Sequence, residues 1–319
     1  MSYLDDIVTL PFMKDIKQCR VFKSNRFKFA QTCHEVSMMT IEIVDFHVHA
    51  LSSEEDWHPW VIEYGLDTNP DLHRNLKEVT TPKGLWAYLQ NNGVDLAVIL
   101  AEDSPVTTTT KRGTEINKFI AKFCENTPNM IPFCSVNPKT VARPAKELQR
   151  LVEDLGFKGL KLYPPYQLYY PNDQEVYSLY SKAEELKIPV MVHTGSSIFR
   201  GARLKYADPI YLDDVAVDFP DLKLLLVHAG RGIWYDSAFF LAKLHKNVYL
   251  EIAGLPPQNL LKYFPNLEKL ADKIVFGSDW PGVPSIKKNI KSIRELPLKT
   301  ETKQKILGKN ALQILKGIL

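Results

Sequence analysis

The sequence Asp45-Phe46-His47-Val48-His49 ends an apolar run that extends from Ile41 to Val48. This run is short and rich in β-branched residues, so it predicts a buried β-strand. Side chains two positions apart share one face of a strand, which puts His47 and His49 about 6–7 Å apart along it. Two imidazoles at this spacing can bind one metal ion, and imidazole suits zinc, iron, copper and nickel. Two histidines at this spacing often only satisfy local hydrogen bonds. The rest of the sequence therefore has to show whether they form a metal site.

From Ile41 onward, short apolar runs alternate with helical patterns. The runs predict strands over 41–49, 94–101, 130–136, 159–163, 189–193, 222–228, 248–252 and 274–278. The intervening patterns predict a loop over 50–80 and helices over 82–92, 114–125, 143–155, 173–186, 211–219, 234–245, 260–270, 285–296 and 301–318. Near-continuous Val, Ile and Leu runs are typical of parallel strands that are buried on both faces.

Eight strand–helix units in about 275 residues predict an α/β fold, a closed (β/α)8 TIM barrel. An open, doubly wound sheet is the alternative architecture. No Gly-x-Gly-x-x-Gly follows any predicted strand, which argues against a dinucleotide-binding version of that sheet. Residues 41–319 are therefore predicted to form the barrel domain. Residues 1–40 lack clear periodicity and are predicted to be an N-terminal extension of uncertain order, whose residues before Met38 are dispensable.

Residues with chemically useful side chains stand at the predicted strand ends. They are His47 and His49 on the first strand, Lys161 on the fourth, His193 on the fifth, His228 on the sixth and Asp279 on the eighth. The C-terminal ends of barrel strands converge on one mouth, so these side chains are expected to lie together. Packing alone does not explain why four of the eight histidines occupy such positions.

The order His-x-His, Lys, His, His and Asp resembles the amidohydrolase superfamily. The Asp45–His49 start, the turns His193-Thr194-Gly195 and His228-Ala229-Gly230, and Gly277-Ser278-Asp279-Trp280-Pro281 are more narrowly similar to the amidohydrolase-related family. That family includes relatives of aminocarboxymuconate-semialdehyde decarboxylase. The resemblance covers residues 41–319, including the C-terminal stretch 306–311, and leaves out the first 40 residues.

The resemblance implies a divalent metal site, with Zn²⁺ as the first choice and Mn²⁺ or another transition metal as alternatives. His47, His49 and His193 would bind through neutral imidazoles, and Asp279 would supply a carboxylate oxygen, which is the ligand chemistry of zinc. His228 would act with Asp279 in proton transfer, or would bind a second ion. The number of ions, one or two, stays open.

Lys161 has three interpretations: a carbamylated ligand, a cation that binds a substrate carboxylate, or a salt-bridge partner of a buried acid such as Glu251. A buried ammonium is costly unless it is paired, so the second and third are favoured. Glu251 is predicted to orient a ligand histidine without binding the metal itself. Lys161, Tyr163, Arg200 and Arg231 are the candidate substrate-binding residues, because cations bind carboxylates and aromatic rings contact flat groups.

The sequence predicts a metal-dependent hydrolase whose metal-bound hydroxide attacks an amide, ester or lactone of a small molecule. The alternative is a metal-dependent non-oxidative decarboxylase of a small carboxylated substrate, for example an aromatic one. A non-catalytic barrel is the remaining and least favoured interpretation. The products distinguish the two reactions: hydrolysis would give the products of a cleaved amide, ester or lactone, and decarboxylation would release carbon dioxide.

Composition restricts the protein's partners. A formal net charge of +3 gives no basic surface for nucleic acid, and no apolar run is long enough for a membrane helix. The four cysteines form no Cys-x-x-Cys pair and indicate reduced thiols, so a cytoplasmic location is expected. A small-molecule substrate is the expected partner, and a homo-oligomer is compatible with the sequence.

Overall fold

A ring of parallel strands organises the chain. The computed structural model describes residues 41–51, 58–68, 76–104, 113–197, 199–282 and 285–319. The predicted extension over 1–40 lies outside these ranges. Residues Ile41–Leu319 form one compact unit.

The described residues contain eight strands. They are β1 (Val44–His49), β2 (Leu96–Leu100), β3 (Met130–Phe133), β4 (Leu160–Leu162), β5 (Val190–His193), β6 (Leu224–Val227), β7 (Val248–Glu251) and β8 (Ile274–Val275). Parallel ladders join neighbouring strands in chain order, in one sheet that runs from β1 through β2 to β3 and in a second sheet that runs from β4 to β8. Single parallel bridges, Cys134 to Leu160 and Val48 to Trp280, connect the two sheets at both seams. The strand order and these bridges confirm the predicted (β/α)8 barrel.

Helices follow the strands around the outside of the ring. In the described ranges they are α1 (Pro59–Thr68), α2 (Pro82–Asn91), α3 (Thr114–Cys124), α4 (Pro144–Leu155), α5 (Pro164–Gln167), α6 (Gln174–Glu185), α7 (Leu212–Asp218), α8 (Tyr235–Leu244), α9 (Leu260–Tyr263), α10 (Ile286–Glu295), α11 (Thr300–Gln304) and α12 (Asn310–Leu315). None of these helices has the length and apolar character that a membrane span needs.

Local sequence explains several helix ends. Helix α2 begins after Thr81, whose hydroxyl accepts a hydrogen bond from the Gly84 N–H at 3.1 Å, and Pro82 suits the first helical position. Helix α4 ends at Gly156, which has φ 73° and so adopts the left-handed conformation that glycine tolerates best. The helix boundaries predicted there from sequence patterns are correct to within about two residues.

The predicted strand over 274–278 ends at Val275 in the structure. Three further predicted segments differ as well. The predicted loop over 50–80 contains helix α1, whose aromatic residues pack on the loop that follows β5. The predicted helix over 260–270 is two pieces, α9 and the 3₁₀ segment Leu267–Lys273, because Pro265 lacks an N–H donor and disfavours helix at the residue before it. The predicted helix over 301–318 contains a π-helical segment, Lys305–Lys309, between α11 and α12.

The interior of the ring is apolar at the end where the strands begin. Val44 and Leu96, the first residues of β1 and β2, belong to one buried cluster with Ala311, Ile314 and Leu315 of α12. A second and larger cluster lies between the strands and the surrounding helices. The C-terminal helix therefore fills one end of the barrel, and the polar residues are left for the other end.

Candidate metal centre

Three electron-pair donors converge where β1 and β8 end. The Nε2 atoms of His47 and His49 lie 3.2 Å apart, and Oδ1 of Asp279 lies 3.3 Å from the first and 3.7 Å from the second. The opposite ring nitrogens face carboxylates: Nδ1 of His47 is 3.3 Å from Glu251, and Nδ1 of His49 is 3.1 Å from Glu102. Carboxylates at Nδ1 orient an imidazole so that its Nε2 lone pair is left for a metal ion.

Hydrogen bonds between β1 and the loop after β8 hold Asp279 in place. Oδ1 of Asp45 accepts the Ser278 N–H at 2.8 Å and the His47 N–H at 3.2 Å, and the Asp279 N–H donates to the His47 carbonyl at 3.0 Å. Asp279 has φ 63°, a strained conformation that the surrounding contacts impose. The register of β1 against β2 also shifts between Asp45 and Val48, and such bulges commonly re-aim side chains beside active sites.

Two further histidines lie beside this group. The rings of His193 and His228 are 4.5 Å apart, and the ring of His228 is 5.2 Å from that of His47. Nδ1 of His228 donates to the Ala253 carbonyl at 2.7 Å, so its lone pair is on Nε2. Nε2 of His193 is buried without a hydrogen-bond partner among the described residues. One donor atom from each of His47, His228 and Asp279 lies within 4.8 Å of the others, close enough to share an ion.

Burial and charge set the protonation states that metal binding requires. Burial lowers the pKa values of His47, His193 and His228 well below the ordinary value, which favours neutral imidazoles. Burial would raise the pKa of Asp279, but the contacts with His47, His228 and the Arg231 guanidinium outweigh it and hold that pKa well below its usual range. Of these three groups, Arg231 stays charged when the imidazoles are neutral. Neutral imidazoles and an ionised carboxylate suit a divalent cation.

Lys161 is a buried amine at the same mouth. Its Nζ has no hydrogen-bond partner and no ion pair with a carboxylate in the described part of the chain, so the salt bridge to Glu251 that the sequence suggested does not form. Burial lowers the pKa of Lys161 to about 8, although Glu251 and Asp279 oppose the shift. Burial likewise raises the pKa of Glu251 to about 8. Nζ lies 5.0 Å from the centre of the Tyr163 ring.

The two candidate arginines have different surroundings. Nε and Nη2 of Arg231 donate to the Ser196 carbonyl at 3.1 and 2.8 Å, and Nη1 lies 3.8 Å from Asp279. Arg200 instead lies over the ring of Trp60 in α1, at 5.9 Å. Arg231 is therefore fixed beside the histidines and Asp279, whereas Arg200 belongs to the α1 contact.

Aromatic side chains extend from the histidines towards α1. The buried Tyr163 donates its hydroxyl to the Ala101 carbonyl at 3.0 Å, so only its ring faces Lys161. The ring of Tyr166 lies 4.9 Å from that of His193 and 6.0 Å from that of Phe199. Tyr163 thus borders the site through an aromatic face.

Sequence patterns missed two residues at this mouth. Glu102 lies two residues beyond the end of β2, and the rule that singled out the other strand ends would have found it. Gly254 has φ 70°, and a Cβ there would lie 2.4 Å from Arg231, 2.8 Å from Asp279 and 3.4 Å from His228. Only glycine leaves room for these three side chains to meet, and no periodic signal marks such a position.

Comparisons with known proteins agree with this fold. A crystal structure of an uncharacterised TIM-barrel protein from Bordetella bronchiseptica matches with a TM-score of 0.70 and 21% identity, over 86% of this chain and 98% of that one. A dihydroxybenzoic acid decarboxylase from Polaromonas sp. JS666, with bound manganese and 2-nitroresorcinol, matches with 0.65 and 17%, over 87% and 97%. A probable 2-pyrone-4,6-dicarboxylic acid hydrolase from Acinetobacter baumannii matches with 0.59 and 16%, over 86% and 99%.

Sequence comparison identifies the family. A 2-keto-4-carboxy-3-hexenedioate hydratase from Sphingobium sp. (strain NBRC 103272 / SYK-6) is 29% identical over an alignment of 161 residues that covers 43% of this chain and 47% of that protein. The match thus spans about half the length of this curated relative. The model of the amidohydrolase family matches residues 44–317. The chain therefore belongs to the amidohydrolase family.

Proposed function

We propose that this chain is a metal-dependent hydrolase of a small molecule that carries a carboxylate. The main support is that the Nε2 atoms of His47 and His49 converge on Oδ1 of Asp279. The Nδ1 atom of each of these histidines also lies within 3.3 Å of a carboxylate oxygen. His47, His49, His193 and Asp279 would hold the ion, and the unpartnered Nε2 of His193 fits this donor set. Zn²⁺ is the first choice, and the manganese in the Polaromonas decarboxylase makes Mn²⁺ the second.

A divalent ion bound there would polarise a carbonyl oxygen and lower the pKa of water. Asp279 is ionised, and its Oδ2 can accept a proton from the attacking water. His228 is held by the Ala253 carbonyl, so its Nε2 can accept that proton and pass it to a leaving group. The ordered contacts of these two residues support general acid–base catalysis, the step in which hydrolysis needs help from the protein.

Two cations support a carboxylated substrate. Nζ of Lys161 is buried without a hydrogen-bond partner among the described residues, and Nη1 of Arg231 lies beside Asp279. An ammonium in such a site is stabilised when an anion binds to it. Lys161 and Arg231 would therefore bind the substrate carboxylate, and the ring of Tyr163 would border it. The proposal involves neither nucleic acid nor a membrane.

A second candidate is a non-oxidative decarboxylase that uses the same residues. The unpartnered Lys161 favours it as well, because an ammonium that draws a carboxylate to the mouth could also bind the carboxylate that is lost. The Polaromonas structure, a decarboxylase with bound manganese, adds support through its similar fold. Both candidates share the metal site and differ in whether water is incorporated.

One experiment tests both candidates. Protein purified without chelator is analysed for metal and then incubated in ¹⁸O-labelled water with carboxylated lactones, esters and amides and with hydroxybenzoates. We expect bound divalent metal and one ¹⁸O atom in the product of hydrolysis. Release of carbon dioxide without ¹⁸O in the organic product would establish the decarboxylase instead. Protein that holds no metal and converts no substrate would contradict both.

A further inference from the structure

Glu102 contacts the candidate metal centre from the segment that follows β2. It is 6% exposed, and its Oε1 accepts a hydrogen bond from the Ser104 hydroxyl at 2.8 Å. Its other oxygen, Oε2, lies 3.1 Å from Nδ1 of His49, which is ion-pair distance without hydrogen-bond alignment, and this nitrogen has no hydrogen-bond partner among the described residues. The Ser104 contact therefore fixes one oxygen of the carboxylate and turns the other towards His49.

His49 depends more on such an anchor than His47 does. The His49 side chain is 13% exposed, compared with 1% for His47, so surrounding atoms restrict its ring less. Glu251, which faces His47, also accepts the Ala253 N–H at 2.9 Å and therefore holds the backbone after β7. Glu102 lies beyond the last residue of β2, outside the strand ladder.

We infer that Glu102 is a positioning residue, which holds the His49 ring so that Nε2 faces Asp279 and the metal ion. This inference rests on the proposed metal-dependent function and extends it to a residue in the segment after β2. A carboxylate next to a ligand histidine raises the basicity of that histidine and fixes its orientation. Loss of the carboxylate leaves His49 in place but lets its ring rotate away, so metal affinity falls while the fold persists.

The test is the Zn²⁺ affinity of metal-stripped protein, measured by competition with a chromophoric chelator, together with the Tm of the same metal-free protein. Glu102→Gln should lower the affinity about 10–100-fold, as for other residues that orient metal ligands, without lowering the Tm. Ser104→Ala should have a smaller effect on affinity, because the Glu102 carboxylate remains and only its hydrogen bond from the Ser104 hydroxyl is lost.

Two further Glu→Gln variants serve as controls. Glu147→Gln lies on the outer helix α4, where Glu147 pairs with Arg150, and should leave Zn²⁺ affinity unchanged. Glu251→Gln should lower both affinity and Tm, because Glu251 also holds the backbone of Ala253. The contrast between Glu102 and Glu251 separates orientation of a ligand from support of the fold.

Each outcome decides the inference. Wild-type affinity in Glu102→Gln would overturn it and leave the proposed function standing. A fall in Zn²⁺ affinity together with a fall in the Tm of the metal-free protein as large as that of Glu251→Gln would also overturn it, because the role would then be structural. Failure of the wild-type protein to bind Zn²⁺ or Mn²⁺ would contradict the proposed function itself, and this inference with it.

Discussion

The two ends of the barrel interior are built from opposite kinds of residue. Where the strands begin, Val44 and Phe46 are buried with Ile314 and Leu315 of the C-terminal helix. Where the strands end, the buried residues include Lys161 and a set of histidines and carboxylates. Burial of apolar surface is the main favourable contribution to folding, whereas a buried charge opposes folding unless it is paired. The end where the strands begin therefore stabilises the fold. The end where they end lowers stability, and its buried ionisable residues are explained by the candidate metal site.

Three of the six described non-glycine residues with positive φ lie at the polar end. His228 has φ 62°, Ala229 has φ 47° and Asp279 has φ 63°. A non-glycine residue in this region costs about 1–3 kcal/mol and persists only where its surroundings impose it. All three residues lie in the turns that follow β6 and β8. The apolar end would then supply the stability that these strained turns require.

The largest expected effect is loss of the metal when the two β1 histidines are removed together. In His47→Ala/His49→Ala two donor atoms of the proposed site are missing, so elemental analysis should find near-stoichiometric divalent metal in the wild type and none in the variant. His245→Ala is the control, because His245 pairs with Asp213 on helices outside the barrel, and it should keep its metal. Full retention of metal by the double variant would contradict the assigned ligands.

The next effect is on turnover and concerns His228. Asparagine tolerates the left-handed backbone at this position but cannot accept a proton near neutral pH, and general acid–base help is worth about 10²–10⁴ in rate. His228→Asn should therefore lose about that factor in kcat once a substrate is known, while it keeps its metal and its circular dichroism spectrum. Near-normal turnover would make His228 structural, and loss of metal would make it a ligand, which favours two ions.

At the apolar end, Ile314→Ala should affect stability alone. Truncation of a fully buried isoleucine leaves a cavity and costs about 2–5 kcal/mol of unfolding free energy. Denaturant titration should show this loss, and metal affinity should remain that of the wild type. Ile233→Ala is the matched control, because Ile233 is 77% exposed and its truncation should change stability by less than about 0.5 kcal/mol. A marked loss of metal affinity in Ile314→Ala would show that the two ends are coupled.

The smallest expected effect has the opposite sign. The lowered pKa of Lys161, about 8 instead of 10.5, corresponds to roughly 3 kcal/mol of unfavourable burial at neutral pH. Lys161→Met removes the ammonium and keeps most of the volume, so it should stabilise the protein by about 1–3 kcal/mol and raise KM for a carboxylated substrate. A less stable variant would show that Lys161 has a stabilising partner.

The same variant has a defined pH dependence. Between about pH 8 and pH 10.5 the unfolded wild-type lysine binds a proton that the folded one has lost, so wild-type stability rises with pH in this window. The stability difference between Lys161→Met and the wild type should therefore be largest below pH 8 and shrink above it. A difference that does not change across this window would contradict burial as the cause.

The sequence by itself determined the order of the strands and most of the helices, because the apolar period of a strand or helix depends on residues that are close in the chain. It also placed His47 and His193 at strand ends, since the end of an apolar run can be located without knowing its neighbours, whereas Asp279 lies four residues beyond the end of β8. Helix α1 was missed, because its stability comes from packing rather than from a strong local pattern.

Only the tertiary structure decided how the residues at the mouth meet. Asp45 holds Ser278 across 233 positions of sequence, and Glu102 reaches His49 only because β1 and β2 pair side by side. The room that Gly254 leaves for Arg231 likewise exists only after the strands have closed into a ring. Such contacts depend on the register of several strands at once, and no local sequence pattern contains that information.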